Sequence, residues 1–174
     1  MPDTSRAREM RRRANALAQP LPQADTSEQL PIIEFTLGSE HYAIDLAYVG
    51  EVRELSNLTS LPGTPQHIAG VIAVRGRIVS VMDLKLLFDL SQTALTGREQ
   101  VIILHQDSME FGLLVDKVTG VRNLPTAQIH PPLPTLHGAG ARYVHGVTAS
   151  SLIVLDGNSI LSDDSLVVDE EVKV

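Results

Sequence analysis

Residues that could carry catalysis or hold a metal ion are present in this sequence, but their spacing does not match a local site. The run Gly138-Ala139-Gly140 begins like a dinucleotide-binding loop, yet Tyr143 stands where the third glycine is needed, and the run follows a proline-rich segment rather than a strand. The six histidines include no pair four residues apart, the spacing used by helical metal sites. The sequence also lacks the Gly-Lys-Ser or Gly-Lys-Thr of a phosphate-binding P-loop.

Two further candidate sites fail for similar reasons. The acidic segment that begins at Asp156 contains calcium-type ligands, but an EF-hand register would place Ile160 and Val167 where oxygen ligands are required. No Gly-x-Ser-x-Gly elbow is present for a serine nucleophile. The sequence therefore predicts no catalytic residue, no metal site and no cofactor. An enzyme whose site is assembled from distant residues stays open as an alternative.

Composition limits the classes that remain. The chain has 174 residues, of which 43% are hydrophobic and 20% charged, as expected for one compact domain or two small ones. Aromatic residues are only 3%, so a stacking surface for single-stranded nucleic acid has little material. The absence of cysteine excludes disulfides and zinc-cysteine sites and fits a reducing compartment. Since no run of apolar residues could span a membrane, we expect a cytoplasmic protein.

Charge is unevenly distributed along the chain. The net charge is -7; residues 1–30 contain five arginines and four acids, a sum of +1, so the remainder sums to -8. An acidic body argues against nucleic-acid binding, which needs a basic face. Residues 1–30 are predicted to be a basic arm, helical over Ser5–Leu17, followed by a flexible linker, and residues 169–174 an acidic tail. The arm is interpreted either as a solvated tail or as a binding segment for anionic lipid or a partner.

From Pro31 onward, apolar and polar residues alternate with the period of two that β-strands require. Turn residues separate these runs, so consecutive runs are predicted to pair as hairpins. The predicted hairpins join Ile33–Leu37 to Tyr42–Tyr48, Ile68–Val74 to Ile78–Met82, Val101–Leu104 to Phe111–Val115, and Tyr143–Val147 to Leu152–Leu155, with Val118–Leu124 as a further strand. These short strands indicate an all-β barrel or sandwich, and small aliphatic side chains suit two small barrels better than one large one.

The segments between the strands are predicted to be turns, loops and short helices. Arg75-Gly76-Arg77 reads as a hairpin turn with basic residues at its tip. The other predictions are one helical turn over Asp83–Phe88, loops over Ser91–Glu99 and His130–Gly140, and a short C-terminal helix over Ile160–Val168.

Residues 61–84, LPGTPQHIAGVIAVRGRIVSVMDL, resemble the signature of the chemotaxis coupling protein family, CheW. In that signature a proline, a Gly-x-Ile-Asn-Leu-Arg-Gly hairpin and a closing Asp-Leu follow in this order. The resemblance continues through Phe35–Asp45, Val49–Arg53, Phe111–Val118 and Leu152–Asp156 and covers nearly all of residues 31–162. The sequence departs from the pattern at Ala73-Val74, where Asn-Leu is usual, at Ser80, where proline is common, and at Lys85, where arginine is common.

The resemblance implies a fold, a function and partners. It implies that residues 31–168 form two SH3-like five-stranded β-barrels packed together, without catalytic activity. It implies an adaptor that joins the regulatory domain of a CheA-type histidine kinase to methyl-accepting chemotaxis receptors, at the inner face of the membrane and touching it only through the receptors. The alternatives are an adaptor of the same fold in a non-chemotactic receptor-kinase array, such as one for surface motility, and a β-barrel that binds a small molecule or nucleic acid.

Seven residues are predicted to bind partners: Val49, Glu51, Val52, Arg75, Gly76, Gly112 and Asp116. Arg75 occupies the signature arginine at a hairpin tip, where it could pair bidentately with a partner's carboxylate or form a structural salt bridge. Val49 and Val52 fit a contact surface and a core position equally well. Gly112 is compatible with a role in backbone geometry alone.

Overall fold

The computed structural model describes residues 8–10, 13, 28–90, 98–134 and 139–166. The four described residues of the predicted arm, Arg8–Met10 and Arg13, are helical and exposed, as expected. The rest of the arm, most of the linker, most of the Ser91–Glu99 loop and the acidic tail lie outside the described residues. Within the described part of the chain, no helix is long and apolar enough to cross a membrane.

The described residues form ten strands and a few short helices. The strands are β1 (Gln29–Leu37), β2 (Glu40–Asp45), β3 (Val49–Glu54), β4 (Ile68–Val74), β5 (Arg77–Asp83), β6 (Gln100–Gln106), β7 (Met109–Val115), β8 (Lys117–Pro125), β9 (Val144–Val147) and β10 (Ile153–Leu155). The α-helices are α1 (Leu84–Leu87) and α2 (Gly157–Leu161), and 3₁₀ turns cover Leu46–Tyr48, Thr126–Gln128, Ala139–Tyr143 and Asp164–Leu166. The predicted hairpins and the helical turn after Asp83 are present. Strand β3 is the element that the prediction lacked.

The strands build two five-stranded sheets. The first has the order β8-β1-β2-β10-β9, and the second has the order β3-β6-β7-β5-β4. The second sheet consists of five consecutive strands, β3 to β7. The first sheet consists of the two strands before them and the three strands after them. Most neighbours are antiparallel, but β10 pairs with β2 and β5 pairs with β7 in parallel. The structure is thus mostly β, as predicted.

Neither sheet closes into a continuous barrel within the described residues. In each sheet, the chain that leaves one edge strand instead makes a single bridge to the opposite edge strand. After β3, Thr59 exchanges two backbone hydrogen bonds of 2.8 and 2.9 Å with Val71 of β4. After β8, His130 does the same with Val147 of β9, at 2.9 and 3.0 Å. In each sheet, an isolated backbone bridge therefore connects one edge of the sheet to the other.

The last helix begins earlier than the predicted Ile160–Val168 helix. The Asp156 carboxylate accepts hydrogen bonds from the backbone N–H groups of Asn158 and Ser159, so it caps α2 at Gly157. This arrangement satisfies two of the N–H groups that a helix start leaves without partners. The helix ends at Leu161, and a 3₁₀ turn follows over Asp164–Leu166. The predicted short C-terminal helix is thus present with an earlier start, and residues 167 and 168 of the prediction lie outside the described residues.

The core has three parts because most strands bury both faces. In β6, Ile102 and Leu104 point into a large central cluster that draws on both sheets, and Val101 and Ile103 point into a smaller cluster of the second sheet. In β1, Ile33 and Ile32 divide in the same way between the central cluster and a small cluster of the first sheet. Alternation of side chains along a strand produces this division. The central cluster therefore joins the two sheets.

A polar group lies at the border of this central cluster. The Tyr143 phenol is buried and donates a hydrogen bond to Asp163, and the two effects raise its pKa to about 12. The Arg142 guanidinium lies 4.9 Å from the Tyr143 ring centre. Nearby, Nε2 of His67 is buried without a hydrogen-bond partner in the described residues. Burial, and secondarily the charge of Arg142, lower the pKa of His67, while Asp163 partly opposes them.

This histidine should make stability depend on pH. In the unfolded chain His67 takes up a proton near pH 6.5, but in the folded protein it does so only at lower pH. The unfolded state therefore binds more protons between these two values, and the free energy of unfolding should fall as the pH drops below about 6.5. Urea unfolding at pH 7.5 and 5.5 tests this, with His67→Gln as the comparison. We expect a smaller pH-dependent loss in the variant, and an equal loss in both proteins would contradict the assignment.

Candidate partner-binding site

Three parts of the second sheet meet at one end of its strands. Because β5 and β7 are parallel, the turn before β5 and the turn before β7 lie at the same end of the sheet. The start of β3 joins them, since Val49 pairs with Leu104 near the end of β6. Together they surround a cleft of about 370 Å³. The lining residues that carry charged or polar side chains are Glu51, Arg75, Arg77, His105, Asp107, Ser108 and Glu110.

The turn between β4 and β5 is a tight two-residue hairpin turn. Val74 pairs with Arg77, and Arg75 and Gly76 both have positive φ, 50° and 79°. This is the type I′ geometry, whose twist matches that of the flanking strands. Arg75 is one of the few residues other than glycine in the left-handed region, so the turn holds its backbone and projects its side chain from the tip.

Gly76→Ala should destabilise this turn without a clash. A Cβ at Gly76 would meet no atom within 4 Å, so the cost comes from the positive φ alone. We expect the free energy of unfolding to fall by about 1–2 kcal/mol, and Gly76→Asn to cost less because asparagine tolerates this conformation. Urea unfolding of the three proteins measures both values. Equal stability of the alanine variant and the wild type would contradict the turn assignment.

Two ion pairs bind the cleft walls together. Arg75 Nη2 lies 2.9 Å from Oε2 of Glu51 on β3. Arg77 pairs with Glu110 on β7 through contacts of 3.0 and 3.2 Å. Oε1 of Glu51 is buried without a hydrogen bond in the described residues, and Nη1 of Arg53 lies 3.6 Å from it. The Glu51 carboxylate is therefore satisfied incompletely by the protein itself.

The structure brings together only part of the predicted set. Glu51, Arg75 and Gly76 lie at the cleft. Val49 is half-buried and packs against the central cluster, as the core interpretation expected. Val52 is 38% exposed, and it follows Glu51 on β3, so its side chain points to the other face of that strand.

Gly112 and Asp116 lie away from the cleft. Gly112 is buried in the middle of β7, where a Cβ would approach Cγ1 of Val101 to 2.9 Å, so this position requires glycine for packing. Asp116 follows β7 at the opposite end from Glu110, roughly 20 Å away along the strand. Its carboxylate accepts a 2.7 Å hydrogen bond from the Gly38 N–H and lies 2.7 Å from Nζ of Lys85. These contacts join the β1–β2 turn to α1.

Three residues that line the cleft were not predicted from the sequence: Arg77, His105 and Glu110. His105 and Glu110 are cross-strand partners in the β6–β7 hairpin, which was predicted. Their proximity to Arg77 depends on the parallel pairing of β5 with β7, which hairpin patterns do not reveal. The sequence carried one signal for this pair: Arg77 and Glu110 have opposite charges, and each lies next to the turn of a predicted hairpin.

Comparison with known proteins agrees with the fold and the signature residues. The family model described as CheW-like domain matches residues 31–165. The chain belongs to the CheW-like domain family. As a CheW-like protein, it is a scaffold adaptor of chemotaxis signalling, and the resemblance stated from the sequence is confirmed.

Three relatives illustrate the range of this CheW-like group. Chemotaxis protein CheW of Treponema pallidum is 28% identical over 153 residues, which cover 84% of this chain and 90% of that protein. Protein PilI of Pseudomonas aeruginosa is 31% identical over 136 residues, covering 78% and 76%. The crystal structure of scaffolding protein TtCheW from Thermoanaerobacter tengcongensis matches with a TM-score of 0.67 at 30% identity, covering 74% and 89%.

Proposed function

We propose that this CheW-like protein couples methyl-accepting chemotaxis receptors to a CheA-type histidine kinase, as a scaffold with no catalytic activity of its own. The observation that carries the proposal is the cleft at one end of the second sheet. There the signature arginine, Arg75, is 77% exposed on a rigid turn and paired to Glu51. An arginine held in this way can give bidentate hydrogen bonds to a carboxylate of a partner.

The Arg75–Glu51 ion pair also provides a way for partner binding to change the contacts within the adaptor. A partner carboxylate that binds Arg75 competes with Glu51, whose other oxygen already lacks a hydrogen bond. Glu51 belongs to β3 and Arg75 to the β4–β5 hairpin, which are opposite edges of the second sheet. An adaptor transmits a signal only if its contacts differ between the states of the kinase. Exchange of this ion pair would provide such a difference.

The proposal includes the architecture and location of the adaptor. Each sheet is one SH3-like barrel with a seam, and the Thr59 and His130 bridges at the two seams support this. Residues 31–168 form the coupling domain, with the basic arm and the acidic tail outside it. The protein acts inside the cell, in arrays at the inner face of the membrane, and it reaches that membrane only through the receptors.

A second candidate is the same adaptor role in a receptor-kinase system that does not serve chemotaxis. The similarity to protein PilI is compatible with this alternative as well as with the first candidate. The two candidates share the cleft and differ in which kinase and receptor of the source organism bind. Pairwise binding to each such kinase therefore separates them.

Calorimetric titration tests the proposal. The purified chain is titrated with the regulatory domain of a CheA-type kinase from the same source, and separately with the cytoplasmic signalling tip of a receptor. We expect saturable binding to both, and the complex with one to accept the other. Failure to bind any such kinase or receptor tip would reject the adaptor function proposed for this chain.

A further inference from the structure

The cleft contains a second arginine, Arg77, which is held more firmly than Arg75. Its Nη1 lies 3.0 Å from Oε2 of Glu110, and its Nη2 lies 3.2 Å from Oε1. Two parallel contacts of this kind fix the plane of the guanidinium as well as its position. Arg75 makes one such contact, of 2.9 Å, with Glu51. Arg77 is therefore the better positioned of the two cations.

In both ion pairs the arginine side chain is more exposed than the glutamate side chain. The side chains of Arg75 and Arg77 are 77% and 63% exposed, whereas those of Glu51 and Glu110 are 26% and 18% exposed. A partner that approaches the cleft meets the guanidinium groups first, and the carboxylates lie behind them. Both arginines keep N–H groups that have no partner in the described residues. The hairpin side of the cleft is therefore suited to anionic groups.

The turn between β6 and β7 adds an exposed acid to the cleft. Asp107 lies on this turn, with a φ of 54°, and it also lines the cleft. Its charge repels acidic groups that approach the β6–β7 turn. The two arginines therefore offer favourable contacts to an acidic partner segment, and Asp107 offers an unfavourable one.

On the basis of the proposed function, we infer that Arg77 is a specificity-determining residue for an acidic segment of the partner. Two neighbouring carboxylates of that segment bind the cleft, one at Arg75 and the other at Arg77. Glu110 is a positioning residue that holds the Arg77 guanidinium toward the partner. Asp107 disfavours acidic groups at the β6–β7 turn.

Four variants separate this role from a structural one. They are Arg77→Gln, Glu110→Gln, the double variant Arg77→Gln with Glu110→Gln, and Asp107→Asn. Each is titrated with the kinase regulatory domain and with the receptor signalling tip, after urea unfolding has shown that it is folded. We expect Arg77→Gln to weaken binding of at least one partner about tenfold and to reduce its salt dependence. Asp107→Asn should strengthen the same binding a few fold.

The double variant decides between the two interpretations. If Arg77 serves only to neutralise Glu110, the double variant has no unpaired charge and should bind like the wild type, which would overturn the inference. If Arg77 contacts the partner, the double variant should bind as weakly as Arg77→Gln. Loss of binding by Arg75→Glu together with normal binding by Arg77→Gln would overturn this inference and leave the proposed function intact. No binding by the wild type would overturn both.

Discussion

Replacing Arg75 by glutamate is expected to abolish most partner binding while the protein stays folded. The side chain is 77% exposed on a turn that its backbone forms with Gly76, so few packing contacts are lost. The substitution places a second negative charge beside Glu51 and presents a repulsive charge to a partner carboxylate. Removing one member of a charge pair that becomes buried in a complex costs about 2–5 kcal/mol, which corresponds to a loss in affinity of about 30-fold or more, and charge reversal should cost at least as much.

Arg122→Glu is the matched control for this variant. Arg122 on β8 is also an exposed arginine, 47% accessible, and it pairs with the partly buried Glu34 on β1. It belongs to the first sheet and does not line the cleft. Isothermal titration with the kinase regulatory domain and the receptor tip should show near-normal affinity for Arg122→Glu. Equal losses in the two variants would show that net charge, rather than the cleft, determines binding.

Leu104→Ala is expected to have the largest effect on stability. Leu104 is fully buried in the central cluster, on β6 between Val49 of β3 and Phe111 of β7. Removing three carbon atoms there leaves a cavity, and such changes cost about 2–5 kcal/mol. Since the central cluster draws on both sheets, both should lose stability together. Urea unfolding followed by far-UV circular dichroism measures the change.

Ile78→Ala provides the comparison for Leu104→Ala. Ile78 is a large aliphatic residue on β5, but it is 71% exposed. Its truncation should change the free energy of unfolding by no more than about 0.5 kcal/mol. Two separate unfolding transitions in Leu104→Ala, one for each sheet, would contradict a shared core.

Local sequence patterns predicted most of the strands because their information lies in adjacent residues. The alternation in Ile33–Leu37 and the turn at Gly38 were sufficient for β1 and β2, and Asp83 was sufficient for the start of α1 through its capping of Lys85 and Leu86. Strand β3 was missed because its exposed and half-buried residues alternate without the large apolar side chains that mark a strand. It forms by pairing with β6, which is distant in sequence.

The candidate site could be predicted only as far as the resemblance reached. The signature located Arg75 and Gly76, and the structure adds the contact of Arg75 with Glu51. The pair of Arg77 with Glu110 joins residues 33 positions apart across a parallel strand pair, and no local pattern encodes that register. Asp116 contacts Gly38 and Lys85 away from the cleft, and its role in partner binding stays a prediction. The contacts of a carboxylate within its own chain depend on the fold, so the sequence alone does not predict them.

Reconstitution of the signalling unit tests the central claim most directly. Membrane vesicles that carry a receptor of the source organism are mixed with its CheA-type kinase, and kinase autophosphorylation is measured with and without the chain and with Arg75→Glu. We predict that the receptor controls kinase activity only when the wild-type chain is present and that Arg75→Glu restores little of this control. Equal receptor control of the kinase in the presence and absence of the chain would contradict the adaptor function.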